Sequence, residues 1–331
     1  MNAVFHPIAV SRRRLLLAGA VGGLSPFLSA QELYPARAVH LVVPFPPGGL
    51  ADSVARLLAP VLERSLGQPV VVVNRAGAAG VIGTSAVLGA KPDGYMVLFT
   101  LSSLSTLPEQ ALVNNQKPPF LLNQLRPIAR VSVDPLAIVV KAESPLKSLA
   151  DLMAQARAKP GELSYGSSGN YGTVHVPVEM FAHEAKLKFN HVPYTGGGPL
   201  MVGLLGGQVA FTMLPRSAIA AQVRAGKLRI LATIGADGWP QFPSAQSTTA
   251  MGLNVDVLPW TGAFVPADTP GYVADRLSAA FRLAADDAGF KQSLAKAEGS
   301  PAYLDAAEFR IFWDQDAARL AQVVRRMGKL E

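Results

Sequence analysis

The stretch Val39-His40-Leu41-Val42-Val43-Pro44-Phe45-Pro46-Pro47-Gly48-Gly49-Leu50-Ala51-Asp52 decides the fold. Residues 39–43 form a largely β-branched, apolar run, the composition of a strand buried in a parallel sheet. The run Pro44-Phe45-Pro46-Pro47-Gly48-Gly49 stops it, and helical spacing begins at once. Val54, Leu57, Leu58, Val61 and Leu62 fall at i, i+3, i+4, i+7 and i+8, one apolar face of a helix. Gly67 follows as a left-handed cap. Strand, corner and helix in immediate succession mark an open α/β sheet, whose ligands sit outside the carboxyl ends of the strands.

Working outward, strands are expected over 70–73 and 95–100, around a Gly/Ala-rich segment at 76–90 and a Pro92-Asp93-Gly94 turn. A second series follows: strands over 136–140, 163–165, 189–192, 209–213 and 228–233, alternating with helices over 149–158, 174–186, 199–205 and 219–225. A strand over 262–265 and helices over 270–282 and 306–329 complete the chain. The fold class is α/β in two lobes, each built on a doubly wound parallel sheet. Strands 136–140 and 262–265 are each followed by a turn, a proline (Pro145, Pro270) and a helix, and read as two paired hinge strands. Lobe one then takes residues 31–136 and 263–331, and lobe two residues 137–262.

The chain has 331 residues, 50% of them hydrophobic and 16% charged, enough for two cores and too apolar for disorder. The formal net charge is +7, but Arg12, Arg13 and Arg14 are its only basic block, and no aromatics alternate with basic residues. Nucleic acid is therefore not an expected partner. Without cysteine there are no disulfides, thiolate metal sites or Cys nucleophile. The N-terminus has the three-part layout of an export signal: Ser11-Arg12-Arg13-Arg14, an apolar run to Leu28, and a small-residue site at Leu28-Ser29-Ala30. Arginines just before Leu15-Leu16 and the glycines Gly19, Gly22 and Gly23 fit the twin-arginine type. Cleavage is expected near Ala30, with a soluble, monomeric periplasmic chain as the product, since no later apolar stretch reaches the roughly 18 residues of a membrane span.

Four corners are candidate ligand contacts. In the first, Gly48 and Gly49 permit close approach to the backbone, and Asp52 holds the start of a helix whose N–H groups suit an anion. The second, Tyr165-Gly166-Ser167-Ser168-Gly169-Asn170-Tyr171-Gly172-Thr173-Val174-His175, repeats that context with hydroxyls and amides. Ser102 and Ser103 offer hydroxyls after the third strand, and Thr195 and Gly196 sit in a corner able to close over a ligand. Catalytic motifs are poor by comparison. Ser168 and His175 lack a Gly-x-Ser-x-Gly elbow and an acidic partner. His40, His175, His183 and His191 show no metal spacing. Gly77-Ala78-Ala79-Gly80-Val81-Ile82-Gly83 lacks the dinucleotide spacing. No enzyme, metal or cofactor is expected; the alternatives are a secreted Ser/His hydrolase and a ligand-sensing receptor that signals to a membrane partner.

An ordered series of landmarks carries a resemblance. It runs from Tyr34-Pro35 through Val42-Val43-Pro44-Phe45-Pro46-Pro47-Gly48-Gly49, Leu66-Gly67-Gln68-Pro69, Asn74-Arg75 and Lys91-Pro92-Asp93-Gly94-Tyr95. It continues with Lys159-Pro160-Gly161, Tyr165-Gly166-Ser167-Ser168-Gly169, His191-Val192-Pro193-Tyr194, Gly206-Gly207-Gln208-Val209 and Ala225-Gly226-Lys227-Leu228-Arg229. Trp260, Gly262, Pro266 and Thr269-Pro270 end it. The chain resembles the Bug-type periplasmic receptors of tripartite tricarboxylate transporters. The resemblance implies a Venus-flytrap fold of the type II periplasmic binding class and delivery of a small organic acid to the membrane permease subunits. It implies ligand contacts at Phe45, Pro46, Pro47, Gly48, Gly49 and Asp52, and at Ser167, Ser168, Gly169, Gly172, Thr173 and His175, partly through water. Many similar proteins carry an aspartate after Gly-Gly-Gln-Val, where this chain reads Ala210-Phe211-Thr212-Met213-Leu214-Pro215-Arg216. That argues against an amino-acid ligand, makes Leu214 an apolar contact, and leaves Arg216 as a candidate partner for a second carboxylate.

Overall fold

The computed structural model describes residues 34–330 except Asp237 and Asp256, together with Met1 and Ala3. The export signal expected over residues 1–30 lies outside the described residues.

The first series of elements is β1 (Val39–Val43), α1 (Leu50–Leu66), β2 (Val70–Asn74), α2 (Val81–Leu88), β3 (Met96–Leu101), α3 (Leu107–Val113) and β4 (Leu125–Val133). The second is β5 (Leu136–Lys141), α4 (Leu149–Ala158), β6 (Ser164–Ser167), α5 (His175–Glu184), β7 (Asn190–Pro193), α6 (Gly197–Leu205), β8 (Phe211–Pro215), α7 (Arg216–Arg224) and β9 (Leu228–Thr233). The chain ends with β10 (Trp260–Pro266), α8 (Gly271–Asp286), α9 (Ala288–Lys296), β11 (Ser300–Leu304) and α10 (Ala306–Met327).

These strands make two sheets, ordered β11-β4-β10-β3-β1-β2 and β7-β6-β8-β5-β9. The corners of interest follow parallel strands: β1 pairs parallel with β2 and β3, and β6 with β7 and β8. Both sheets are mixed, however, not wholly parallel as the strand–helix alternation predicts. On its return the chain lays β10 antiparallel between β3 and β4, while β5 runs antiparallel to β8 and β9. The two expected hinge strands exist, but each stays within one sheet and they do not pair with each other. The chain crosses between the sheets at Asp134-Pro135 and again over 234–259. The crossings are tied where the Asp134 N–H donates to the Pro259 carbonyl, 2.9 Å away.

Packing follows the sequence pattern. Val54, Leu58, Val61 and Leu62 of α1 bury against the first sheet and α8, and Gly67 closes the helix at φ 74°. On the opposite face, Trp260 and Phe264 of β10 meet Phe309 and Trp313 of α10. Both indole N–H groups are satisfied, by Asp316 at 2.9 Å and Ser105 at 3.0 Å. The second bond anchors the serine-rich turn after β3. In the second sheet, Leu149 and Leu152 of α4, Phe181 of α5 and Leu200 and Leu204 of α6 pack on β5 and β8.

Candidate functional site

A cavity of about 450 Å³ lies between the corners of the two sheets, with walls drawn from both. Loops of the two sheets approach each other at its edge: a Cβ added to Gly196 would stand 3.4 Å from Cγ of Pro46.

The β1–α1 corner forms one wall, through Phe45, Pro46, Pro47, Gly48 and Gly49. Gly48 takes φ 80°, a conformation open to glycine at little cost. Asp52 is buried beneath this corner and does not line the cavity. Its carboxylate accepts from the Gly48 N–H at 2.9 Å, Arg56 Nε at 2.9 Å and Asn74 Nδ2 at 2.8 Å; Asn74 also donates to the Phe45 carbonyl. Burial alone would raise the pKa of Asp52, but the bonds to Arg56, Gly48 and Asn74 outweigh it and keep the carboxyl below its ordinary value. Asp52 is therefore a brace that fixes the corner. The α1 N-cap, Gly49, offers no side-chain cap, so the first N–H groups of a 17-residue helix are left for other acceptors.

The β6–α5 corner supplies the facing wall, through Ser168, Gly172 and Thr173. Ser167, Gly169 and His175 stand behind it rather than on it. Ser167 Oγ is 2.6 Å from His191 Nε2 and accepts from the Gly169 N–H at 3.2 Å. His175 Nδ1 accepts from the Tyr171 N–H at 2.7 Å, in a turn where Tyr171 holds φ 54°. The two imidazoles stack with centroids 3.9 Å apart and planes 7° apart. Burial holds His175 at a pKa of about 3, assisted by the neighbouring His191, and holds His191 at about 4. Both rings are thus neutral at ordinary pH and position the corner. Among the described residues no hydrogen bond joins Ser168 to His175, whose Nδ1 is taken by the Tyr171 N–H.

Ser103 lines the cavity, while Ser102 faces only a much smaller pocket beside it. Gly196 is on the rim and Thr195 is exposed outside it. Leu214 lines the wall. Arg216 does not reach the cavity: its Nε donates to the Glu298 carbonyl at 2.9 Å and its Nη2 to Ser300 Oγ at 2.7 Å. Those bonds tie α7 of the second sheet to the turn before β11 and to the first residue of β11 in the first sheet.

Sequence reasoning missed several lining residues. Ser53 and Leu57 lie on the first turns of α1, and Ser217 and Ala218 on the first turn of α7. Leu294, Ala297 and Gly299 come from the end of α9 and its turn. The helix-start positions could have been inferred from the corners; the α9 turn is brought in by tertiary packing alone. Two hydroxyls stand out: Ser103 Oγ and Thr173 Oγ1 are buried and have no hydrogen-bond partner among the described residues. One follows a strand of each sheet, and both residues also border the smaller pocket beside the cavity.

Two mixed α/β sheets joined by a double crossing, with a cavity between their corners, define a two-lobed solute-binding protein. The family model described as the tripartite tricarboxylate transporter family receptor matches residues 54–329. Protein BugT of Bordetella pertussis is 35% identical over 310 residues, covering 93% of this chain and 94% of that one. Among solved structures, the periplasmic binding protein BugD superposes with a TM-score of 0.81 at 28% identity, covering 88% of this chain and 98% of the other. Rpa4515 of R. palustris, solved with adipate, gives 0.80 at 27% identity, covering 88% and 97%. The chain belongs to the tripartite tricarboxylate transporter family of receptors.

Proposed function

We propose that this chain is a monomeric periplasmic receptor that closes on a small organic carboxylate and delivers it to the membrane permease subunits of a tripartite transporter. Binding, not turnover, is its role. The observation that carries the reading is the cavity walled by the β1–α1 and β6–α5 corners beside the uncapped start of α1, with two unpaired buried hydroxyls, Ser103 and Thr173, one from each sheet's corners, in its lining residues. Buried hydroxyls without partners are costly, and an anion shared by both walls would satisfy them. Adipate in Rpa4515 and the family membership support a carboxylate.

The lobes are taken as residues 31–136 with 263–331, and residues 137–262; the sheet membership of the strands supports this division apart from its edges, since Leu136 belongs to the second sheet and residues 260–262 to the first. Closure is a hinge motion about the two crossings, with the ligand as the bridge. Export through the N-terminal signal, cleaved near Ala30, brings the mature chain to the permease.

A thermal-shift screen of the mature protein over mono-, di- and tricarboxylates tests this, because a ligand selective for the native state raises the apparent melting temperature. A concentration-dependent rise with at least one organic acid is expected. No rise with any acid, or release of a chemically altered product, contradicts the proposal.

A further inference from the structure

Tyr171 stands in the β6–α5 corner between the lining residues Ser168 and Gly172, yet does not line the cavity itself. Its φ is 54°, a left-handed conformation that suits glycine and is costly for a bulky side chain. Such a residue persists where its surroundings over-determine it. Although it sits on a corner, Tyr171 is 1% exposed, and most of what covers it belongs to the first lobe.

The ring clusters with Leu320, Val323 and Val324 of α10, beside Val176 of its own helix α5. Its hydroxyl donates to the Gly328 carbonyl at 2.8 Å and accepts from the Leu330 N–H at 3.2 Å and from Asn114 Nδ2 at 3.3 Å. Those bonds fill its one donor and two acceptor positions. Thr106 Oγ1 stands 2.8 Å from the Tyr171 carbonyl and 2.8 Å from the carbonyl of the lining residue Ser103. Its single proton therefore lies between a turn of the first lobe and a corner of the second. The bond from the Tyr171 N–H to His175, by contrast, stays within the second lobe.

Thr106, Asn114, α10 and residues 328–330 together form a socket of the first lobe that seats a side chain of the second. Opening the hinge would withdraw that side chain, return apolar surface on both sides to water and part its hydrogen bonds. The next two residues, Gly172 and Thr173, line the cavity.

We infer that Tyr171 is a positioning residue for ligand capture: seated in the first lobe, it favours closure before a ligand arrives and sets the Gly172 and Thr173 wall. The inference rests on the hinge closure proposed above. Apparent affinity falls in proportion to the fraction of molecules in the competent, closed state, so emptying the socket weakens binding without removing a ligand contact.

Small-angle scattering and isothermal titration of the mature protein, its Tyr171→Gly variant and its Tyr171→Phe variant test this. Glycine takes φ 54° without strain, so the corner keeps its path while the ring is gone. Phenylalanine keeps the ring and loses the hydroxyl bonds. Without ligand, Tyr171→Gly should have a larger radius of gyration than the parent, with Tyr171→Phe between them. Titration uses whichever of acetate, phenylacetate, succinate, adipate, malate and citrate most raises the melting temperature of the parent. Tyr171→Gly should bind that acid about tenfold or more weakly, Tyr171→Phe should recover part of the loss, and saturating acid should bring all three proteins to one radius. Equal ligand-free radii for the parent and Tyr171→Gly overturn the inference, even if binding weakens, because a role confined to the corner's own fold would leave lobe separation unchanged. Undiminished affinity in Tyr171→Gly overturns it too, as does Tyr171→Phe matching Tyr171→Gly in both readings. If acid makes neither the parent nor Tyr171→Gly more compact, the hinge closure itself is contradicted. If no acid of the panel shifts the parent, the carboxylate reading fails instead, and the ligand-free radii still decide the role of Tyr171.

Discussion

Replacing Asp134 by asparagine should change how stability depends on pH. Asp134 sits at the first crossing between the sheets, is 1% exposed, and accepts hydrogen bonds from the Ser217 N–H and hydroxyl. Burial pushes its carboxyl up from an ordinary 3.8 to about 7, against the opposing pull of the Ser217 bonds and the nearby Arg216 charge. Between those two values the native chain keeps a proton that the unfolded chain releases. The contribution to stability is therefore full below the ordinary value and is lost as pH rises through about 7. Each pH unit in that window costs about 1.4 kcal/mol, or about 4 kcal/mol across it. An asparagine side chain copies the protonated form, with one oxygen to accept from the Ser217 N–H and an amide N–H to donate to its hydroxyl. His175 and His191, held neutral, act in the opposite sense: their stabilisation is present above their ordinary value of 6.5 and is lost as pH falls toward about 4 and about 3. Both proteins share that effect, so it cancels in the difference. Urea unfolding of Asp134→Asn and the parent over a pH series should show near-equal stability in acid and a growing advantage for the variant toward neutrality. A difference that stays constant with pH would refute the reasoning.

Other substitutions separate binding from folding. Removing both unpaired hydroxyls, Ser103→Ala with Thr173→Ala, should weaken acid binding about tenfold or more while leaving the melting temperature unchanged or higher; undiminished affinity by titration would exclude them as contacts. In Gly48→Val the new Cβ meets no atom within 4 Å but the residue must hold φ 80°, so urea unfolding should report a loss of about 1–3 kcal/mol from backbone strain, together with loss of binding. In Gly166→Ala the new Cβ would stand 2.3 Å from Leu200 Cδ1, and an overpacking cost of about 1–3 kcal/mol is expected in the same assay.

Local pattern made much of this fold legible. Helix α4 occupies the expected 149–158 because Ser148 and Asp151 form a reciprocal capping box at its start. Strand β9 occupies the expected 228–233, apolar and β-branched after the Gly226 turn. Strand β4 was hidden: Arg126, Pro127 and Arg130 interrupt its apolar run, and its partners β10 and β11 lie far along the chain. Short β11, half exposed at a sheet edge, has little apolar signal of its own. The two principal corners were legible because strand, glycine-rich turn and helix follow each other directly. What Asp52, Ser167 and His175 touch was not. Asp52 and His175 resemble ligand contacts by position, yet hydrogen bonds to Arg56, Asn74 and Tyr171 and stacking on His191, which only the folded chain brings together, make them braces.

The most direct test is a crystal structure of the mature protein with the acid that gives the largest thermal shift. A carboxylate held between the two corners is expected, with oxygens about 3 Å from an N–H at the start of α1 and from the Ser103 or Thr173 hydroxyl. An acid bound to one lobe alone, or outside this cavity, would contradict the account.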